Sequence, residues 1–347
     1  MPDIAGAWSI VGSLGPVVWL NALIGCALLI LVLMPVFRNF AVAVPTQRSS
    51  HSVPTPQWGG LAISAATLGV TAGAMLLSGS FGAQARDGTM LVLLAALLLV
   101  LLGAADDHYH LGPASKLAVQ AAAVALMLTA IPDDLGALPS FPVWLERGVL
   151  FVGALWFVNA VNFMDGIDWM MVAEVVPITL GVGIIGALGA LPPQALVVAV
   201  ALNGAMLGFA PFNRPVARLF MGDVGSLPIG LLLAWLLIVI AGSGHLAAAL
   251  LLPLYFLADT GVTLLRRARA GELLWVAHRT HFYQRARDNG FTNMQIVGRV
   301  FAVNAAVVAL AALSVTAQSP WSGAMALLAG VCLVAWLLIG FGRGGRP

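Results

Sequence analysis

The sequence predicts an all-α fold, a polytopic membrane helical bundle of about eleven transmembrane helices with its amino terminus outside and its carboxyl terminus cytoplasmic. Three observations carry that prediction. The 347 residues are 61% hydrophobic and only 9% charged, where soluble domains carry roughly 25% charged residues. Apolar runs of about 17–25 residues, the length that crosses the hydrocarbon, recur along the whole chain. These runs are continuous rather than alternating, which selects helices over a closed barrel, the only other spanning solution.

The spans fall at roughly 15–37, 58–78, 89–105, 115–131, 147–163, 171–191, 194–211, 225–242, 245–265, 296–317 and 323–342. The opening residues, MPDIAGAWS, lack a basic segment, so no cleaved signal peptide is expected. Cys26 and Cys332 lie in apolar runs, where packing or idle thiols are expected rather than a disulfide. No solenoid repeat, low-complexity tract or second domain interrupts the series, so residues 1–347 read as one integral membrane domain. Its inner loops lie at about 38–57, 106–116, 164–170, 212–224 and 266–295.

Orientation follows from lysine and arginine. With the amino terminus outside, the inner side holds Arg38, Arg48, Lys116, Arg214, Arg218, Arg266, Arg267, Arg269, Arg279, Arg285, Arg287, Arg299, Arg343 and Arg346. Only Arg86 and Arg147 of the 16 basic residues stay outside. This threading ignores the acids, so the acids test it. Asp106, Asp107, Asp165, Asp168 and Asp223 all land at inner ends of spans, as do Lys116, Asn162, His278 and His281. Helix ends are where charge is cheapest in a membrane, so one such acid says little. Several of them, in glycine-bearing stretches on one face, argue for a site.

"DDHYHLGPASK" (106–116) ends one span and opens the next. Adjacent helical residues point about 100° apart, so Asp106 and Asp107 take different roles, and Lys116 is placed to contact a phosphate or to neutralise an aspartate. "NAVNFMDGIDWM" (159–170) sets Asn159, Asn162, Asp165 and Asp168 at steps of three. Each step slips about 60° on a straight helix; Gly166 lets the helix end there and turn the acids toward one cavity. "FMGDVGS" (220–226) puts Asp223 between glycines, with a helix expected to begin near Ser226. A helix start favours anions and a carboxylate favours a hard cation, a pairing that suits a metal-bound phosphate. "HRTHFYQR" (278–285) spaces His278 and His281 one helical turn apart, flanked by Arg279 and Arg285. Phosphate contacts or proton handling fit this better than zinc, which needs further ligands. "RSSHSVPTPQWGG" (48–60) reads as a rigid turn, with Gly59 and Gly60 opening a span. Asp259, near the inner end of its span, and Glu174, just inside another, are further candidate site residues, with packing or pairing the favoured reading for each.

These four ordered motifs, across roughly residues 40–300, resemble those of the polyprenyl-phosphate N-acetylhexosamine-1-phosphate transferases (glycosyltransferase family 4). The resemblance implies transfer of a sugar 1-phosphate from a UDP-N-acetyl sugar to undecaprenyl phosphate, releasing UMP, at the cytoplasmic face of the bacterial inner membrane. It implies Mg²⁺ as cofactor, with Mn²⁺ as the alternative. By motif position Asp106 and Asp107 are the essential acid pair, Asp165 a further required carboxylate and Asp223 the metal ligand. Phe220 matches the aromatic that stacks on uracil, and Asn162 and Asp168 match nucleotide contacts. His278 and His281 match the histidine motif, with Arg279 beside them binding substrate. Two departures stand out: Trp169 replaces the family's usual glycine, and the histidine loop reads His-x-x-His rather than a run of histidines. The loop and "SHSVPTP" resemble the O-antigen initiators more than the peptidoglycan enzyme.

The attacking phosphate monoester has a second pKa of about 6, so it is mostly a dianion at neutral pH and needs little base assistance. Charge neutralisation and positioning dominate phosphoryl transfer. On this reading Asp223 holds the metal, while Lys116, Arg279 and the histidines offset the remaining charge. Direct attack assisted by Asp106 or Asp107 is expected, with a covalent aspartyl-phosphate route as the alternative. Rival readings are a MurNAc-pentapeptide phosphotransferase and, from another class, a secondary transporter or lipid flippase. Transporters place their sites near the midplane, where polar residues here are few, Asn203 among them. No nucleic acid partner is expected, and the sequence leaves monomer and homodimer both open.

Overall fold

The computed structural model describes residues 4–43, 54–133, 135–138, 140–273, 278–317, 319 and 321–343. Uninterrupted apolar sequence makes helices of its long segments, because every backbone group must be paired within lipid. Among the described residues, eight helices are long and apolar enough to cross a membrane: α1 (Ile4–Phe40), α2 (Gly59–Leu77), α3 (Ala83–Tyr109), α5 (Val143–Met164), α6 (Met170–Ala187), α8 (Asp223–Gly242), α12 (Asn293–Thr316) and α13 (Ser322–Arg343). Two more apolar helices, α4 (Pro113–Thr129) and α7 (Pro193–Phe209), have 17 residues each. At 1.5 Å per residue that is about 25 Å. The chain is a polytopic helical membrane protein.

Three expectations about element bounds are corrected. The segment 245–265 is two helices, α9 (Leu246–Leu251) and α10 (Leu254–Arg269). Pro253 breaks it, having no N–H to donate and a non-helical ψ of 16°. α8 starts at Asp223, three residues before Ser226. His278 and His281 do not share a helical turn, since α11 runs only from Phe282 to Asp288 and His281 precedes it. α2 opens at Gly59 as expected, after a two-stranded antiparallel pairing of β1 (Val42–Ala43) with β2 (Thr55–Pro56). Residues 48–53 of the proline turn, with Arg48, and Arg346 lie outside the described residues.

α8 is the axis of the bundle. It is apolar all round, and its membrane-spanning stretch is wholly buried, as such a helix must be. α2, α3, α4, α5, α7 and α9 pack around it. Small residues let backbones meet directly, as membrane helices require when no hydrophobic force draws them together. A Cβ on Gly60 would collide with Gly225, and one on Gly103 with the backbone of Asp223 and Val224. The start of α2 and the end of α3 are thereby seated against the start of α8. Pro228 inside α8 leaves the Val224 carbonyl without its helical donor, and Ser64 Oγ of α2 donates to it at 3.4 Å. Farther in, Asn203 accepts from Trp19 Nε1 at 3.0 Å and donates to Thr179 Oγ1 at 2.9 Å, linking α7 to α1 and α6. Cys26 is buried and Cys332 exposed, and both are free thiols.

The glycine contacts are testable. Gly103→Val should lower stability by about 1–3 kcal/mol, the usual cost of overpacking, read as a lower thermal transition in detergent. Gly73→Val, whose Cβ would meet nothing within 4 Å, should leave the transition in place. Equal behaviour of the two variants would refute the close seating of α3 on α8.

Candidate active site

The site is built where α3 ends, α4 begins and α8 starts. α3 carries Asp106 and Asp107 in its last turn, and the short 110–112 connection returns the chain so that Lys116 in the first turns of α4 faces back. Lys116 Nζ donates to Asp106 Oδ2 at 2.6 Å and to Asp223 Oδ2 at 3.0 Å. Asp106 Oδ1 also accepts from the Leu111 amide at 2.8 Å, which fixes the turn. Asn162, one turn from the end of α5, donates to Asp223 Oδ1 at 2.8 Å and to Ser226 Oγ at 2.9 Å. The side chains of Lys116, Asp223 and Asp106 remain 26%, 23% and 14% exposed, so the cluster is reachable by solvent and ligand.

Asp107 points a different way, as the 100° offset requires. Its carboxylate accepts from the Asp223 and Val224 amides at 3.3 and 3.5 Å, at the start of α8. The anion position at that helix start, expected to suit a phosphate, is therefore held by Asp107. Gly222, at φ 76°, lies so close to it that an added Cβ would sit 2.7 Å from Asp107 Oδ2. Asp165 caps the end of α5 opposite the Gly222 amide. Desolvation, with the charges of Asp223 and Asp107, pushes its pKa up to about 7.

The steps-of-three motif divides. Asn162 and Asp165 join the cluster, whereas Asn159 donates to Gln120 Oε1 of α4 at 2.8 Å. Asp168 Oδ2 accepts from the Ala217 amide at 3.2 Å, pinning the 212–221 loop. Trp169 takes a left-handed backbone, φ 64°, a conformation natural to glycine and costly for a bulky residue. Two bonds hold it there: its amide donates to Asn213 Oδ1 at 2.8 Å and its indole N–H to the Ala210 carbonyl at 2.7 Å. The departure from the glycine pattern thus preserves the backbone course. Phe220 is half-buried between β2 and α2; its amide donates to the Pro56 carbonyl at 2.8 Å, and its carbonyl accepts from Gly59 at 2.9 Å.

The histidine stretch is organised by Asp259, which the sequence offers as a further site residue but reads more readily as a packing or pairing group. Fully buried in α10, Asp259 accepts from the Phe282 and Tyr283 amides at 2.9 and 3.1 Å and from Tyr255 Oη at 3.2 Å; Thr263 Oγ1 and His281 Nδ1 lie at 3.4 and 3.2 Å. It thereby caps α11. His281 is only 2% exposed and acts as part of this knot, which corrects the expectation of an open substrate contact. His278 stacks beside it, ring centroids 4.8 Å apart, and remains half-buried. Burial, with His281 and Arg267 nearby, lowers the His278 pKa to about 4. Arg279 pairs with Asp288 at 3.1 Å. Tyr283 donates from its hydroxyl to the Phe163 carbonyl at 3.0 Å, and only glycine at position 166 leaves room for that hydroxyl. The sequence does carry a signal for Asp259: an ionisable residue within a span is expensive and seldom idle.

A divalent cation fits the donor set. Asp107, Asp165 and Asp223 are hard oxygen donors crowded near one another, and among the described residues no basic side chain pairs with Asp107 or Asp165. No group of three or more His, Cys, Asp or Glu among the described residues is arranged to hold a metal unaided. Magnesium commonly takes one or two carboxylates and completes its shell with waters and substrate phosphates.

Two outcomes are expected from the histidine knot. Asp259→Ala leaves several buried donors unpaired, each costing about 1–3 kcal/mol, so the thermal transition should fall and the 270–281 connection should become protease-sensitive, with Asp259→Asn milder. His278 titrates at about 4 when folded against about 6.5 unfolded. Its contribution is therefore complete above about pH 6.5 and lost as pH falls toward 4. Thermal melts across that window should steepen less for His278→Gln than for the unmodified chain.

Comparison with known proteins gives the same chemistry a name. Residues 89–241 match the family model described as glycosyl transferase family 4. The decaprenyl-phosphate N-acetylglucosaminephosphotransferase of Mycobacterium tuberculosis is 30% identical over 297 residues, covering 75% of this chain and 72% of its own. A probable undecaprenyl-phosphate N-acetylglucosaminyl 1-phosphate transferase of Bacillus subtilis is 24% identical over 83% of this chain and 84% of its own. A phospho-N-acetylmuramoyl-pentapeptide-transferase of Streptococcus agalactiae is 35% identical, over 45% of this chain and 49% of its own. With the acid cluster inside the matched stretch and the likeness running through three quarters of its length, the chain belongs to glycosyl transferase family 4 and is a phospho-N-acetylhexosamine transferase.

Proposed function

We propose that the chain transfers an N-acetylamino-sugar 1-phosphate from a UDP-sugar to undecaprenyl phosphate, releasing UMP, as the first membrane step of O-antigen or another cell-envelope glycan. The observation that carries this reading is the Lys116–Asp106–Asp223–Asn162 network at the start of α8. It gathers acid, base and amide groups from four helices into one solvent-reachable place. We further read eleven crossings, α9 and α10 together making one, with the amino terminus outside and the site facing the cytoplasm of a bacterial inner membrane.

An oxygen of the lipid phosphate attacks the phosphorus bonded to the sugar, and the bond to UMP breaks. The attacking group is mostly a dianion at neutral pH, so repulsion is the obstacle rather than proton removal. Lys116, partly exposed between two aspartates, is the ammonium that a phosphate can recruit. Asp106 orients it, and Asp107 holds the amides that start α8. Asn162 fixes the rotamer of Asp223. Magnesium, held by Asp223 with Asp165 beside it, would neutralise charge on the pyrophosphate. Phe220 and Asp168 flank the cluster on the 212–221 loop side and are assigned to the nucleotide. Arg279 and His278 lie on the other flank, and His278 serves as a neutral hydrogen-bonding group there.

The test is direct. Purified protein with undecaprenyl phosphate, Mg²⁺ and a panel of UDP-N-acetyl sugars should release UMP with at least one of them. Asp223→Asn should fold and cut turnover by more than about a hundredfold, as losing several kcal/mol of transition-state stabilisation requires. Near-normal transfer by that variant would remove Asp223 from the metal role.

A further inference from the structure

Away from the acid cluster, α10, α11 and α13 border an open cleft of about 420 Å³. Phe282, Leu338 and Ile339 contribute apolar wall, and Arg266, Arg285 and Arg343 contribute guanidinium groups. Arg266 and Arg285 lie over the Phe282 ring, 4.5 and 5.7 Å from its centre. Among the described residues none of these three arginines pairs with a carboxylate, whereas neighbouring Arg267 and Arg279 pair with Glu272 and Asp288. Arg266 and Arg343 lie in the last turns of α10 and α13, and Ile339 of α13 is 49% exposed.

We infer that this cleft binds an anionic glycerophospholipid of the surrounding bilayer, its phosphate held by Arg266, Arg285 and Arg343 and an acyl chain lying along α13. Three uncompensated guanidinium groups repel one another, and a phosphate relieves that repulsion while matching their fork geometry. Basic pockets between membrane helices at the inner interface are suited to acidic headgroups. A free phosphate would make no use of the apolar walls. The acceptor substrate is a different occupant, because no residue of the acid cluster lines this cleft. Occupancy has a mechanical consequence: Phe282 follows His281 and donates its amide to Asp259, so a lipid clamping Phe282 also steadies the histidine knot.

The protein in uncharged detergent should be titrated with dioleoyl phosphatidylglycerol, and adducts counted by native mass spectrometry. Dioleoyl phosphatidylcholine, undecaprenyl phosphate and inorganic phosphate are parallel probes. Phosphatidylglycerol should be retained and phosphatidylcholine should not. Arg343→Gln, exposed in the last turn of α13 and harmless to folding, should weaken phosphatidylglycerol about fivefold, the usual worth of one arginine at a lipid surface. The triple change Arg266→Gln, Arg285→Gln, Arg343→Gln should abolish retention. Unchanged retention in Arg343→Gln overturns the proposal, whatever the triple variant does. So does displacement of phosphatidylglycerol by millimolar inorganic phosphate, which would make this a soluble-anion site. A loss confined to undecaprenyl phosphate would likewise overturn it and give the cleft to the acceptor.

Discussion

Lys116 Nζ sits between Asp106 and Asp223, 2.6 and 3.0 Å from their oxygens, and the rest of the site is arranged around the consequence. Five carboxylates at the ends of apolar helices cannot all stay ionised side by side without compensation. Lys116 answers for two of them. Asp107 is answered by the first amides of α8, where the aligned helix dipole adds positive character. Asp168 is answered by the Ala217 amide. Asp165 is left with the Gly222 amide against burial and three like charges, Asp223, Asp107 and Asp168, and the pKa of its carboxyl is pushed up to about 7 as a result. The unbalanced charge collects at the point where a cation-bound pyrophosphate is read to enter, so electrostatic strain and substrate affinity share one origin.

Much of this is legible in the sequence, and the failures have physical causes. Apolar run length alone marks out the helices, and the bias of arginine and lysine alone collects the acids on one face. The break at Pro253 is hidden because hydropathy is blind to a missing N–H in an otherwise continuous apolar run. The stepwise spacing of Asn159, Asn162, Asp165 and Asp168 suggests a shared cavity, yet spacing cannot say where a helix stops. α5 stays helical to Met164, so Asn159 remains on a face that meets Gln120. Trp169 reads as a break in the glycine pattern, because its left-handed backbone depends on Asn213 and Ala210, about forty residues away in sequence. Asp259 carries little weight in the sequence for a similar reason, since its donors come from the next helix and the loop before it.

The two halves of the site are joined at the end of α5, where Phe163 packs against the His278 and His281 rings and its carbonyl accepts from Tyr283. Residues 89–241, the stretch matched by the family model, contain the whole acid cluster, whereas the histidine knot lies beyond it on α10 and α11. Tyr283 crosses between them: its amide donates to Asp259, and its hydroxyl reaches the Phe163 carbonyl at the end of α5, over Gly166. Because α5 ends one residue later and delivers Asp165, a shift of α11 is transmitted to that carboxylate. Packed interiors pass on such displacements rather than absorbing them. Glycine at position 166 therefore leaves the room needed by the tyrosine that fixes one half of the site to the other.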